Sequence, residues 1–202
     1  MPWDRIERSL RVAHQSRNPH LISPVAPNAS RRAAVAVVLW GDAQGARKLV
    51  LVQRGFEAPQ HGGELAFPGG MVEARDRDLP ETARRELHEE LGIRDGLWEM
   101  GCFPDGVAKA RTRFTPVFFR WEILEPKFEI GHEIRDALLL PLEPLRSAPW
   151  TLQSFEREGL AFLVPRLELP SAPLWGATAF VLKAWLDILG TVTDLERRRK
   201  HP

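Results

Sequence analysis

A single cysteine, Cys102, rules out an internal disulfide framework and suits a reducing compartment; it reads as a small buried hydrophobe. Net charge is nearly absent as well. With 28 Lys and Arg against 27 Asp and Glu, no global field draws the chain to nucleic acid or to an anionic membrane, so any basic site must be local. Long apolar runs are missing too. The longest, Ala33 to Trp40, is less than half a membrane span, and MPWDRIERSL is charged from its fourth residue and lacks the apolar core of a signal peptide. Tyrosine does not occur, and the seven tryptophans read mostly as core. Nor is there an internal repeat. These absences describe a soluble, cytoplasmic protein with no nucleic-acid and no membrane partner, and they leave its oligomeric state open.

What is present suffices for one domain spanning 1–202. At 44% hydrophobic residues a substantial core can form, and 17 prolines and 15 glycines scattered without a period mark many short turns. Trp3, Ile6, Leu10 and Ala13 recur at helical spacing. They predict an amphipathic helix, followed by an extended crossing from Asn18 to Asn28 in which Pro19, Pro24 and Pro27 forbid regular structure; together these fill about 1–30. Ala33 to Trp40 reads as a strand buried on both faces, and Leu49 to Gln53 as its hairpin partner across Gly41 to Gly45. Arg54 to Ala66, with Pro59, Gly62 and Gly63, reads as a surface loop. Leu97 to Phe103 and Arg113 to Leu124 predict two more strands around an Asp105-Gly106 turn. Between them Lys109, Arg111 and Arg113 form a basic cluster, which is either a solvated face or a contact for a substrate phosphate. Glu129 to Ser147 predicts a loop, a short strand and a turn of helix, and Thr151 to Phe155 with Leu160 to Val164 a small hairpin across Glu158-Gly159. Trp175, Ala179, Leu182, Leu186 and Leu189 fit the 3.6-residue period, so a helix is expected over about 173–189, ended by Gly190, with 191–202 as a solvated tail. Strands outnumber helices and connect mainly as hairpins, so the class is α+β.

The stretch FPGGMVEARDRDLPETARRELHEELGI, Phe67 to Ile93, carries the chemistry. Asp78 is placed to cap a helix from Leu79 to Leu91, with Glu81 three residues on, Pro80 in the first turn and Gly92 as the C-terminal cap. Ala83, Leu87 and Leu91 then face the core. At about 100° per residue, Glu86, Glu89 and Glu90 share one arc of the helix surface. Like charges so spaced repel by a few tenths of a kcal/mol per pair. A divalent cation removes that cost, and carboxylate oxygens are the ligands that hard Mg²⁺ or Mn²⁺ prefers.

RELHEELGI from Arg85 to Ile93, downstream of Gly69-Gly70, resembles the box of the Nudix hydrolases without a mismatch in its second half. The first half departs: Asp76, not Glu, lies six residues after Gly70, and eight residues separate it from Arg85, one more than in the common form. That expansion is similar to the coenzyme A pyrophosphatase subgroup, as are Arg54, His61, Gly63 and Phe67-Pro68-Gly69-Gly70 at their spacings and the LWGATAFVL segment from Leu174 to Leu182. Three positions differ from the subgroup: Val50-Leu51-Val52 stands for Leu-Leu-Thr, Gly55 for Ser or Ala, and Pro59 for a second arginine.

The resemblance implies the Nudix fold, an α/β/α sandwich with a mixed β-sheet and a loop–helix–loop box. It implies Mg²⁺ or Mn²⁺ held by Glu86, Glu89 and Glu90, with Gly69 and Gly70 close to substrate and Arg85 orienting the carboxylates, helped by Glu81 and Glu89 at i−4 and i+4. Arg54 is the candidate phosphate contact, the alternative being a structural ion pair. Glu133, in EIRDALLLPL, is the downstream candidate for the general base, with Glu129 and Asp136 as rivals. His61 is read as loop structure, and Trp98 or Trp121 could stack an adenine. The implied reaction splits the pyrophosphate of coenzyme A or a derivative into 4′-phosphopantetheine and adenosine 3′,5′-bisphosphate. The alternatives are another nucleoside diphosphate derivative such as ADP-ribose or NADH, and a non-catalytic nucleotide-binding module.

Overall fold

The apolar runs assemble into one mixed sheet with helices on both faces, in a computed structural model that describes residues 1–15, 31–42, 44–55, 62–108, 112–157 and 160–200. The expected crossing at 18–28, Pro59, His61, Lys109, Arg111 and the Glu158-Gly159 turn fall outside those residues. Strand β1 (Arg31–Gly41) is the spine, and alternation gives it two buried faces. Ala33, Val37 and Leu39 enter one core; Ala34, Ala36, Val38 and Trp40 enter the other.

One edge of β1 pairs in parallel with β7 (Thr112–Trp121), from Arg31 opposite Thr112 to Trp40 opposite Trp121. Two strands meet β1 antiparallel at different heights: β2 (Arg47–Arg54) at Leu39, and β4 (Gly69–Met71) at Ala33 to Val35. β2 diverges between them. It pairs instead with β3 (Leu65–Ala66) and β8 (Ile134–Pro141), while β5 (Leu97–Cys102) and β6 (Gly106–Val107) pair with β7, giving an eight-stranded sheet. A separate hairpin joins β9 (Thr151–Arg157) to β10 (Leu160–Arg166).

The α/β/α layering follows from which core each helix fills. α2 (Leu79–Leu91) packs Ala83, Leu87 and Leu91 on the Ala34–Trp40 face. The other face is covered by α1 (Trp3–Gln15), α3 (Leu142–Ser147) and α4 (Gly176–Lys200). Trp185 of α4 is fully buried, and its Nε1 donates to Ser9 Oγ of α1 at 2.9 Å, so the one polar atom of a large apolar ring is satisfied where the two helices cross. Among the described residues no helix is long and apolar enough to cross a membrane.

The β7 strand ends at Trp121 rather than Leu124 and the hairpin strands run on to Arg157 and Arg166, but two departures from expectation are larger. The C-terminal helix does not stop at Gly190 and 191–200 is not a solvated tail: α4 continues to Lys200, because Val192 and Thr193 are buried and Glu196 is held by Arg5 (2.9 Å) and Arg8 (2.6 Å) of α1. Those contacts outweigh the roughly 1 kcal/mol that a mid-helix glycine costs. The stretch from Arg54 to Ala66 is not all loop either. Leu65 is buried and pairs with Gln53, and the Arg54 N–H donates to the Glu64 carbonyl (3.0 Å), so the segment returns along β2 before reaching the glycine pair.

Candidate functional site

Local chemistry sets the site's helix. Asp78 caps α2 by accepting the Glu81 N–H on Oδ1 (2.8 Å), Pro80 occupies the first turn, and Gly92 closes the helix in the left-handed region at φ 69°. Burial of Leu87 and Leu91, worth roughly 1.5–3 kcal/mol each, fixes the rotation of the helix. Glu90 is thereby turned inward and buried, Glu86 is half-buried and Glu89 is exposed.

The glycine pair meets these carboxylates because nothing larger fits. The Gly69 N–H donates to Glu90 Oε2 at 3.2 Å, and a Cβ on Gly69 would come within 2.5 Å of the Ala34 carbonyl oxygen. On Gly70 a Cβ would lie 2.6 Å from Glu86 Cδ. The strand β4 and the helix α2 are therefore in direct contact, with Gly69 held where a Cβ would strike the backbone of β1.

Arg85 is the hub on the other side. Its Nε and Nη2 grip Asp76 in a fork (3.1 and 3.2 Å), Nη1 donates to Glu86 (2.7 Å) and Glu89 (3.1 Å), and Nη2 also donates to the Met71 carbonyl (2.8 Å). Glu81, expected beside it, instead takes the Arg77 N–H (2.6 Å) and Nε (2.9 Å). Asp76 also accepts from Thr82 Oγ1 (2.9 Å) and the Glu73 N–H (2.9 Å). The extra residue before Arg85 thus costs no contact: Asp76 is tied to both the loop and the helix.

Arg54, at the end of β2, spans the far side. Its Nη2 reaches Glu133 at 3.0 Å and Nη1 lies 3.7 Å from Glu90, so it is an ion-pair bridge here. Backbone contacts bring Glu133 there across a gap of 79 residues. The Gly55 N–H donates to the Glu133 carbonyl (2.9 Å), and the Gly131 N–H to the Glu90 carbonyl (2.9 Å). The rivals point elsewhere: Glu129 packs on Gly92, and Asp136 accepts from the Ala137 N–H beside it (2.8 Å). Trp121 is buried and donates to the Asp95 carbonyl (3.1 Å), which removes it as a stacking surface; Trp98 remains exposed on β5.

The electrostatics divide the carboxylates. The Arg85 fork holds Asp76 down to about 2. Burial, with Glu86 alongside, pushes Glu90 up to about 8, and burial raises Glu86 as well, against the pull of Arg85. Arg85 loses solvation, but its bonds to Asp76 and Glu86 outweigh that and hold its guanidinium above its ordinary value. Two carboxyls whose ionisation burial disfavours lie beside a small glycine cradle, and an all-oxygen donor set fits a hard divalent cation. Among the described residues no three such side chains converge as a metal cage; Arg85 bonds to Glu86 and Arg54 lies near Glu90.

Sequence reasoning missed Glu73 and Arg75, which extend the network to Glu89 (Arg75 Nη2, 3.0 Å), and the spacing glycine Gly131, where a Cβ would run into the Glu89 carbonyl. A glycine two residues before Glu133 was the available signal for the last of these. Nothing local marks Arg75.

The family model described as NUDIX domain matches residues 30–162. A Schizosaccharomyces pombe protein named "Probable nudix hydrolase" is 27% identical over 93% of this chain and 66% of its own length. An Enterobacter protein named "Uncharacterized Nudix hydrolase NudL" is 30% identical over 76% of this chain and 80% of its own. The crystal structure of a MutT protein from Methanosarcina mazei superposes with a TM-score of 0.50 at 16% identity, covering 86% of this chain and 99% of that one. The chain spans 66% of the length of the first curated relative and 28% of the second, a plant protein.

Proposed function

The chain belongs to the Nudix family, and from that premise we propose that it hydrolyses the pyrophosphate bond of coenzyme A or one of its derivatives, giving 4′-phosphopantetheine and adenosine 3′,5′-bisphosphate, with Mg²⁺ or Mn²⁺ bound by Glu86, Glu89 and Glu90. The observation that carries the hydrolase reading is the meeting of buried Glu90 with Gly69 in front, Glu86 beside it and Glu133 across Arg54. A bound divalent cation supplies charge neutralisation at the pyrophosphate and lowers the pKa of a coordinated water.

The chain's own residues do the rest. Arg85 orients Glu86 and Glu89, and the Gly69 N–H fixes Glu90. Arg54 offers charge-assisted donors to a phosphate oxygen when it leaves Glu133. Glu133, released, is free to accept the proton of the attacking water. The coenzyme A assignment rests on the sequence: the expanded spacing from Asp76 to Arg85 and the Trp-Gly-Ala-Thr-Ala stretch beginning at Trp175. The single cysteine fits a cytoplasmic setting.

One observation favours a second reading, ADP-ribose, NADH or another nucleoside diphosphate derivative. At Gly55, where the subgroup has Ser or Ala, a Cβ would touch, among the described residues, only the Glu133 carbonyl, at 3.4 Å, so packing against those residues does not enforce the departure. Incubation with coenzyme A, ADP-ribose and NADH plus Mg²⁺ or Mn²⁺ in ¹⁸O-water, read by mass spectrometry, separates the two. Coenzyme A is expected to have the highest kcat/KM, with the label on one phosphate product and no turnover in chelator. Preferred cleavage of ADP-ribose overturns the substrate, and chelator-insensitive turnover overturns the mechanism.

A further inference from the structure

The parallel register of β1 with β7 places Arg32 directly beside Arg113. Partners in this register share a face: Ala34, Ala36 and Val38 enter the same core as Val117, Phe119 and Trp121. By the same alternation Arg32 and Arg113 belong to the face on which α2 lies. Arg32 is one same-face step, roughly 7 Å, from Ala34, the residue opposite Gly70, against which Glu86 lies, and Arg113 is the same step from Thr115, one strand farther out. The Val72 N–H donates to the Arg32 carbonyl (3.0 Å), so the chain leaving the glycine pair runs alongside Arg32.

Like charges set directly across a strand pair are destabilising, and one acid, Asp105, offsets this pair only at long range. Arg32 is exposed and forms no ion pair or side-chain hydrogen bond among the described residues. Arg113 makes one long ion pair, to Asp105 Oδ2 at 3.8 Å, while Thr115 Oγ1 holds the other oxygen of that carboxylate at 2.6 Å. Two forked cations side by side suit an anion that presents several oxygens and more than one charge, as a phosphomonoester does at about −1.5 to −2.

We propose that Arg32 and Arg113 form a specificity site for a phosphomonoester of the substrate that is not itself cleaved. Resting on the coenzyme A reading, this is the 3′-phosphate of the adenosine half. The pair touches no reacting atom; it selects 3′-phosphorylated substrates over otherwise identical ones.

The test compares wild type with Arg32→Ala, Arg113→Ala and the double variant on coenzyme A and on 3′-dephospho-coenzyme A, with Mg²⁺ present. Each arginine removed is expected to raise KM for coenzyme A roughly tenfold, as for loss of one charge-assisted contact, with kcat unchanged and KM for the dephospho form unmoved. Equal shifts on both substrates, or none on either, overturn the proposal. Calorimetric binding of adenosine 3′,5′-bisphosphate against AMP decides the matter independently of turnover. A wild-type preference for the bisphosphate that the double variant loses supports the site, even where coenzyme A is not hydrolysed and the substrate reading has failed. No preference in wild type overturns the site, whatever the enzyme cleaves.

Discussion

Two arginines brace the two sides of the carboxylate cluster in opposite ways. Arg85 belongs to the box helix, is 11% exposed, and is fixed by a fork to an Asp76 side chain that is 2% exposed. Arg54 comes from a neighbouring strand and is tied most closely to Glu133, which is 58% exposed. The first pair is dry, with every oxygen engaged, and behaves as scaffold. The second is wet on one side, and the proposed reaction requires its bridge to open. The difference separates what holds the site from what is able to change within it.

The largest effect should come from breaking the dry side. Arg85→Ala leaves Asp76 buried without its partner and is expected to cost about 3–5 kcal/mol in urea unfolding. Arg85→Lys recovers only part, since an ammonium cannot reproduce the fork. Next, Glu90→Gln is expected to lower kcat roughly 10²- to 10³-fold, as for removal of one preorganised group, with the circular dichroism spectrum unchanged. Wild-type turnover in that variant would remove Glu90 from the metal set.

The pH dependence of the metal-free protein sharpens the contrast, because the two carboxyls shift in opposite directions. Asp76 is held at about 2, below its unfolded value, so its contribution is full above the ordinary carboxyl range and is lost as pH falls through about 2. Glu90 is raised to about 8, so its contribution is full below the unfolded carboxyl value and is lost as pH rises through about 8. Thermal melts across pH should show an acid limb that Arg85→Ala flattens and an alkaline limb that Glu90→Gln flattens. Added Mn²⁺ should raise Tm more at the alkaline end. The smallest effect on stability is expected from Arg54→Ala, within about 1 kcal/mol because its closest partner is exposed. Its KM should nonetheless rise, and an Arg54→Ala enzyme with unchanged KM would make the bridge purely structural.

How far the sequence was legible follows the range of each interaction. The box helix could be read to the residue, since Asp78, Pro80 and Gly92 act on backbone within one turn. The same local rule failed at Gly190. There Arg5 and Arg8, nearly the whole chain away, hold Glu196 and carry the helix onward. In the site, the carboxylate arc of Glu86, Glu89 and Glu90 followed from helical period alone. Of the partners of Arg85, Glu89 at i+4 followed from the same period, but Asp76 did not, because it lies in a loop tied by Glu73 and Thr82. The meeting of Arg54 with Glu133, and of Arg32 with Arg113, depends on strand register, which nothing within either segment encodes.

The hydrogen bond from the Gly69 amide to Glu90 makes one backbone proton a spectator of the whole centre. Its nuclear resonance should follow the protonation of that carboxylate as pH is raised, and move again when Mg²⁺ takes the oxygen. A single ¹⁵N-labelled glycine signal would then report occupancy directly in solution, without substrate and without turnover.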